Sequence, residues 1–388
     1  MKLKNNLLRI NEFFWVFFQA FSLKLIPING LDEKKIIYFS EKFGLSSRIG
    51  FIYSKFKDLK EINLSENFLY KYRENQKKNL IILSCCFKLL ELSKNLNLKL
   101  IFLKGSHLLL TNQTKLGLRS FADIDILVPE ESAFKFFNYL LDNGFKSSSN
   151  PREDLHLPVI FDNFCGVEIH KKIPFLRLKS EKEFINFDRI EKNFGFDSIE
   201  NNGEKFFLLS EKFFISHLFV HSLHHHYYAP HLYPFMRFFT DIFDLNLSKE
   251  KWKENIEFFF DNFEVPFKKE RAISAIELVD FFKKGEKNEF DKLSAGSKEI
   301  FAHLIKGTLD KSYCFSLRLK AIKERYSFDR GFNKWKKIIK DEIWISPYQI
   351  SNLYIKPKNA FHLFFLRLYH IIKVIFKTLK VLFIKIFK

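Results

Sequence analysis

Residues 98–128 read LKLIFLKGSHLLLTNQTKLGLRSFADIDILV, and this stretch decides the fold. A short apolar run ends at a glycine turn, Gly105, and a second apolar run contains Asp123 and Asp125. Successive side chains of a β-strand point to opposite faces of the sheet, so both carboxylates are expected on one face. A solvated pair of Asp side chains is the usual explanation for an isolated D-x-D motif. The glycine turn 18 residues upstream instead favours a site for Mg²⁺, which binds through one or two carboxylates together with substrate phosphates.

The order of these motifs resembles that of the polymerase-β-like nucleotidyltransferase superfamily, and within it the broad bacterial group of uncharacterised nucleotidyltransferases. Proteins of that group have a strand ending in Leu-Lys-Gly-[Ser/Ala/Gly], then a helix, then an Arg ahead of an Asp-[Ile/Leu]-Asp strand. The matching positions here are Leu103, Lys104, Gly105, Ser106, Arg119, Asp123 and Asp125. The superfamily's third carboxylate matches Glu168, in an alternating stretch that places His170 on the same strand face. The resemblance covers roughly residues 65–245.

The resemblance implies an enzyme that transfers a nucleoside monophosphate from an NTP to an acceptor hydroxyl and releases pyrophosphate. Such a reaction depends on positioning and charge neutralisation, and two Mg²⁺ ions are expected to clamp the attacking and leaving oxygens. The expected catalytic residues and metal ligands are Asp123, Asp125 and Glu168. The expected contacts to the NTP are Lys104, Gly105, Ser106, Arg119 and His170. For Arg119, a salt bridge to Asp123 or Asp125 that holds its loop is an alternative.

The apolar patterns indicate an α+β fold: a small mixed β-sheet nucleotidyltransferase core with flanking helices, followed by a mainly helical C-terminal subdomain. The core elements are a helix over 65–97, a strand over 98–103, a helix, the Asp strand, a helix over 130–143 and strands over 157–162 and 166–173. Four parts are expected: an N-terminal helical segment (1–64), the nucleotidyltransferase core (65–200), a helical subdomain (201–350) and a basic amphipathic helix (351–388).

The composition is that of a globular protein, since 47% of the 388 residues are hydrophobic and 28% are charged. The four cysteines give neither a disulfide framework nor a C-x-x-C metal pair, so reduced thiols in a cytoplasmic protein are expected. The apolar stretch at 13–18 is too short to span a bilayer and lacks the cleavage pattern of a signal peptide. We interpret it as the apolar face of a first helix.

The net charge of +19 is compatible with nucleic acid, an anionic membrane surface or an anionic nucleotide as partner. From Asn359 onward the chain has no acidic residue, and aromatic and aliphatic residues fill most of a predicted helix over 360–388. Its basic residues cluster on one arc: Arg367, His370, Lys373, Lys377 and Lys380. This composition is typical of a helix that lies on an anionic membrane, here on the inner face of the cell membrane. Packing on the protein itself or on a partner is the alternative, whereas the regular lysines argue against a transmembrane span.

Six histidines lie within fifteen residues: His217, His221, His224, His225, His226 and His231. The first three have the spacing i, i+4, i+7 on one helix face, which permits zinc binding. No carboxylate or cysteine lies at a matching spacing, so histidines that line the cleft or pack in the core are the preferred interpretation. Farther along, Arg237 and Asp241 recur in the pattern of the resembled group, and their separation of one helical turn predicts an ion pair within that helix.

Two other classes of function compete with the enzyme. One is a catalytically silent binding protein that keeps the fold, at the membrane in polysaccharide assembly or as the toxin-like half of a pair. The three intact carboxylates argue against it, because a decayed site usually loses a metal ligand first. The other is a general nucleic-acid binder, which rests on net charge alone because no zinc finger, helix-turn-helix or RNA-binding motif supports it.

Overall fold

A mixed β-sheet lies at the centre of the computed structural model of this chain. The structure describes residues 11–22, 25–28, 30–55, 62–111, 114–121, 123–147, 156–161, 165–227, 235–309, 313, 317 and 359–386. In this part of the chain the strands are β1 (Ile101–Phe102), β2 (Asp123–Leu127), β3 (His156–Phe161), β4 (Cys165–His170), β5 (Arg177–Leu178), β6 (Phe196–Asn201), β7 (Glu204–Leu209) and β8 (Phe263–Glu264). Six of them form the main sheet in the order β3-β4-β2-β1-β7-β6, and β5 pairs with β8 separately.

Strand β2 has a different kind of neighbour on each side. It runs antiparallel to β1 and parallel to β4, and the β2–β4 register places Asp125 directly beside Glu168. Because side chains alternate along both strands, these two carboxyl groups lie on the same face of the sheet. The parallel register therefore brings together two acidic side chains that are 43 positions apart in the sequence.

Helices surround the sheet and form the second half of the molecule. Those described in the structure are α1 (Asn11–Phe21), α2 (Glu33–Lys42), α3 (Ser46–Tyr53), α4 (Ile62–Asn95), α5 (Lys104–Leu110), α6 (Ala133–Asp142), α7 (Phe187–Asn193), α8 (Glu211–Val220), α9 (Met236–Leu245), α10 (Lys249–Asn262), α11 (Lys269–Lys284), α12 (Ala295–Leu309) and α13 (Ala360–Ile386). Residues 310–358 of the expected helical subdomain, apart from Tyr313 and Leu317, lie outside the described residues. The α+β fold class predicted from the sequence is confirmed.

Two hydrophobic clusters lie on opposite faces of the sheet. Ile124 and Ile126 of β2 pack with α4 and α6 on one face. Leu127, on the face of the two aspartates, belongs to the larger cluster that extends into helices α8 to α12. The carboxylate face of β2 is therefore turned toward the helical half of the protein.

The N-terminal apolar stretch forms α1, as expected, and lies in the core. Every residue from Phe13 to Phe21 is buried. The ring of Phe17 packs against Phe43 and Phe282, with centroids 4.9 and 5.1 Å apart. No helix in the described part of the chain is both long enough and apolar enough to cross a membrane.

One hairpin of the sheet spans the predicted boundary at residue 200 between the nucleotidyltransferase core and the helical subdomain. Strands β6 and β7 are antiparallel, and β7 also pairs in parallel with β1. The turn between them is Asn202-Gly203, and both residues have positive φ, 50° and 78°. An Asn-Gly pair in this conformation is the strongest short-range signal for a two-residue hairpin. The region from 201 that was predicted to be mainly helical therefore begins with one strand of the sheet, which continues to Leu209, and its first helix is α8.

Candidate active site

Asp125 lies at the centre of a buried group of charged side chains. Its Oδ1 accepts hydrogen bonds from Lys104 Nζ at 2.6 Å and from His170 Nε2 at 2.7 Å. Glu168 Oε2 lies 3.5 Å from the same nitrogen of His170. Within the described residues, Asp125 Oδ2 makes no hydrogen bond and is the oxygen open to a further ligand.

The donor atoms of three residues are close enough to share one metal ion. One ligand atom each from Asp125, Glu168 and His170 lies within 4.8 Å of the other two. The two carboxylates fit Mg²⁺, which prefers oxygen ligands. Because His170 already bonds to Asp125 and lies beside Glu168, it fits the role of a residue that orients the carboxylates. The structure thus brings together three of the residues predicted for the site.

Mutual contacts keep this group charged although it is buried. Burial alone would raise the pKa of Asp125, but Lys104 and His170 outweigh it and hold that pKa well below its usual range. Burial would likewise lower the pKa of Lys104, but the charges of Asp125 and Glu168 raise it. For Glu168, burial would raise the pKa, but the hydrogen bond to His170 and the positive charges of Lys104 and His170 together lower it. For His170, the bonds to both carboxylates outweigh burial and raise the pKa.

Asp123 lies two residues before Asp125, at the exposed end of β2. It is on the predicted face, but it is not one of the three residues whose ligand atoms meet. Atoms packed around its carboxyl group, and then the negative charge of Asp125, raise its pKa to about 6. A cation that enters the site would therefore stabilise the charged form of Asp123.

Lys104 begins α5 with a strained backbone. Its φ is +48°, a left-handed conformation that costs a residue with a side chain roughly 1–2 kcal/mol. Its ammonium group lies on Asp125, and the predicted phosphate contact stays a prediction. The hydroxyl of the neighbouring Ser106 donates to the main-chain carbonyls of Leu103 at 2.7 Å and Asp125 at 3.3 Å. It thereby ties the turn to β2, and its predicted phosphate contact also stays a prediction.

Gly105 allows a close approach of Arg119 to the turn. A Cβ atom on Gly105 would lie 2.3 Å from Arg119 Nη1 and 2.6 Å from the ring of Phe121, so there is room only for glycine. Arg119 does not pair with Asp123 or Asp125, the alternative considered from the sequence. Its Nε and Nη2 donate to the two carboxylate oxygens of Asp241, at 2.8 and 3.2 Å.

The partner of Asp241 differs from the one expected from helical spacing. Sequence spacing predicted Arg237, one turn away on α9, but the hydrogen-bonded partner is Arg119 on the loop before β2. Burial raises the pKa of Asp241, and the charge of Arg119 acts in the opposite direction. Asp241 therefore holds the loop before β2 through Arg119, whereas the sequence predicted an ion pair within its own helix.

Two asparagines of α4 hold the same loop from the other side. Asn75 Nδ2 donates to the carbonyl of Gly117 at 2.8 Å, and Asn79 Nδ2 donates to that of Arg119 at 3.0 Å. Both side chains are buried although they lie in a polar stretch of an otherwise amphipathic helix. Their spacing of i, i+4 places both on one face of α4, but the sequence does not show that this face is buried against the loop.

Among the histidines that the structure describes after Glu211, none belongs to a group that could hold a metal ion. Asp125, Glu168 and His170 are the only such group found in the described part of the chain, so zinc binding by the first three histidines gains no support. Burial and then the charge of Lys104 lower the pKa of His217 well below its usual value. His231 and the side chain of His225 lie outside the described residues.

Comparison with known protein families gives a match that covers the site. Residues 47–256 match the model of a family described as uncharacterised nucleotidyltransferase, and this range contains every residue of the site. Comparisons with curated proteins and with solved structures found no match. The family match spans just over half of the 388 residues. The chain therefore belongs to the uncharacterised nucleotidyltransferase family.

Proposed function

We propose that this protein is a Mg²⁺-dependent enzyme that transfers a nucleoside monophosphate from an NTP to an acceptor hydroxyl. The observation that carries the proposal is the convergence of Asp125, Glu168 and His170 within 4.8 Å, in a chain of this family. Bound there, Mg²⁺ would neutralise charge on the phosphoryl oxygens during transfer. Two such ions, as first inferred from the resemblance, would engage Asp123 in addition.

Each residue of the site has a proposed part in the reaction. Asp125 holds metal through Oδ2, while His170 fixes the carboxylate through Oδ1. Glu168, whose side chain is 33% exposed, is the carboxylate open to an incoming acceptor and acts on its hydroxyl. Asp123 completes the metal site at its solvent side.

The basic residues are proposed to hold the triphosphate. Lys104 has a side chain only 18% exposed, and it neutralises Asp125 when no metal is bound. With Mg²⁺ and an NTP bound, Asp125 would hold the metal, and Lys104 would be free to contact a phosphate oxygen instead. Gly105 and Ser106 supply main-chain N–H groups at the turn, and Arg119 offers the guanidinium face that Asp241 leaves free.

The test uses two labels on the same NTP. With full-length protein, Mg²⁺ and candidate acceptors, label from the α-phosphate should appear on the acceptor, and label from the γ-phosphate should appear in pyrophosphate. Chelation of the metal should stop both. Transfer of the γ-label to the acceptor would instead identify a kinase and contradict the proposal.

A catalytically silent binding protein with this fold is the second candidate. The contact of Lys104 with Asp125 favours it, because an ammonium group already neutralises the carboxylate. This candidate predicts no transfer of either label, and no rise of the melting temperature when NTP and Mg²⁺ are added together.

We further propose that α13 attaches the protein to an anionic membrane surface. Its large apolar side chains that are 41–72% exposed are Phe361, Phe364, Phe365, Leu368, Tyr369 and Ile372. They recur every three to four residues and thus form one stripe along the helix. The chain is free of acidic residues from Asn359 onward, so this stripe is accompanied only by positive charge. An apolar stripe with basic flanks matches an anionic lipid surface.

The membrane proposal predicts binding to vesicles that carry anionic lipid. Full-length protein should sediment with vesicles containing phosphatidylserine and much less with phosphatidylcholine alone, and added salt should weaken the binding. The variant Phe361→Ser/Phe365→Ser/Leu368→Ser should lose it. Ile273→Ser, which removes a 48% exposed apolar side chain from α11, is the matched control and should bind like wild type. Equal binding by the triple variant would contradict the proposal.

A further inference from the structure

Arg237 is a half-buried arginine at the start of α9. Within the part of the chain that the structure describes, its guanidinium makes no hydrogen bond and no ion pair. The Asp241 carboxylate, one helical turn away, already receives two N–H groups from Arg119. The nearest acidic side chain on its own helix is therefore occupied by another arginine.

The surroundings of Arg237 place it at the edge of the site. The charges of Arg119, Asp241 and Asp123 all act on it. Burial, and then the positive charge of Arg119, lower the pKa of Arg237 to about 10, so it remains charged at neutral pH. A half-buried cation without a bound anion is destabilising. An anionic ligand would explain the presence of Arg237 at this place.

Arg119 links this position to the glycine turn. Its Nη1 lies against Gly105, where a Cβ would come within 2.3 Å. One guanidinium group thus lies beside the turn that precedes β2, and the other lies on α9, one helical turn from the carboxylate that holds the first. One is held in place by Asp241, and the other, Arg237, has its donors available. A pair of this kind suits a polyphosphate, because each guanidinium can donate two parallel hydrogen bonds to oxygens of one phosphate.

We infer that Arg237 binds the β- and γ-phosphates of the NTP and holds the pyrophosphate that leaves. This inference rests on the proposed nucleotidyl transfer and adds a residue from the helical half of the protein to it. The α-phosphate lies at the carboxylates, where metal neutralises it. The remaining charge is on the leaving group, and Arg119 and Arg237 are two cations that interact with Asp123 at the end of β2.

The experiment measures binding of Mg²⁺-tripolyphosphate to full-length protein by calorimetry, since this probe does not depend on the base. Arg237→Met keeps the apolar stem and removes the charge. It should weaken binding of the probe about 10- to 100-fold, leave binding of nucleoside monophosphates unchanged, and raise the melting temperature of the free protein. Arg237→Lys should recover only part of the affinity, because an ammonium group cannot fork a phosphate. Arg73→Met, at an exposed position on α4, is the control for loss of one positive charge.

The outcomes separate this inference from the function on which it rests. Wild-type affinity in Arg237→Met would overturn the inference and leave nucleotidyl transfer standing. A lower melting temperature with unchanged affinity would identify Arg237 as a structural residue only. If neither tripolyphosphate nor any NTP binds the wild-type protein in the presence of Mg²⁺, both the inference and the proposed function fail.

Discussion

Asp125→Asn is expected to lower the rate of nucleotidyl transfer by at least about 10³-fold, because a bound metal contributes several kcal/mol to stabilising the transferred phosphoryl group. Asp125 is the residue on which Lys104, His170 and the proposed metal converge. Asparagine retains an oxygen but loses the charge that attracts the cation. The measurement is the initial rate at which α-phosphate label reaches the acceptor at saturating Mg²⁺.

Loss of activity must be separated from loss of the fold. Asp125→Asn leaves the ammonium group of Lys104 buried without its strongest partner, which is itself destabilising. The double variant Lys104→Met/Asp125→Asn removes both charges and should recover much of the melting temperature without recovering transfer. A folded Asp125→Asn or double variant with wild-type transfer rate would refute the assignment of this carboxylate.

The second large effect is expected at Arg48, far from the chemistry in sequence. Arg48 on α3 donates from Nη1 and Nη2 to the two oxygens of Asp244 on α9, at 2.9 and 2.7 Å, and both side chains are 5% exposed. Thr114 donates to the same carboxylate at 3.1 Å. Arg48→Met should lower the free energy of unfolding by about 3–5 kcal/mol, because it leaves Asp244 buried without its cation.

Urea unfolding of three proteins checks this value. Arg48→Met/Asp244→Asn should be more stable than Arg48→Met, since neither charge is then left alone. Lys78→Met removes an exposed i, i+4 pair with Glu74 and should change stability by less than about 1 kcal/mol. An effect of Arg48→Met no larger than this control would show that the buried pair contributes little.

The acidic centre of the site could be predicted from sequence because strand periodicity fixes it. Alternation places Asp123 and Asp125 on one face, and it does the same for Glu168 and His170. The resemblance added Glu168 as a third carboxylate from a later strand, but it did not give the pairing of the strands. In the structure β2 and β4 are parallel, and Asp125 and Glu168 are direct neighbours in the register.

The framework around the centre could not be predicted in the same way. Local spacing favours Arg237 as the partner of Asp241, but in the folded chain that carboxylate pairs with Arg119, 122 positions away. The hydroxyl of Ser106 likewise binds main-chain carbonyls that only the folded turn brings near it. Such contacts depend on tertiary packing, which no window of sequence contains.

The sequence of the β6–β7 hairpin contained a signal for its turn, but the helical pattern that follows the hairpin was given more weight. Asn202-Gly203 marks the turn, but strand β6 is largely exposed and its alternation is weak. The apolar run Phe206–Leu209 was instead continuous with the helical pattern that follows it. The turn residues were the better guide here, because they depend only on local backbone geometry.

Helix α9 carries two acidic side chains, Asp241 and Asp244, and each forms an ion pair with an arginine from a different region of the protein. A helix of ten residues moves as a rigid body, so the position of Asp241 cannot change while that of Asp244 stays fixed. A shift of the loop that carries Arg119 would therefore move α9 and, with it, the contact between Asp244 and Arg48 on α3. Deletion of residues 1–50 would remove the contact of Arg48 with Asp244, so we expect it to displace the turn at Gly105 through α9 and Arg119.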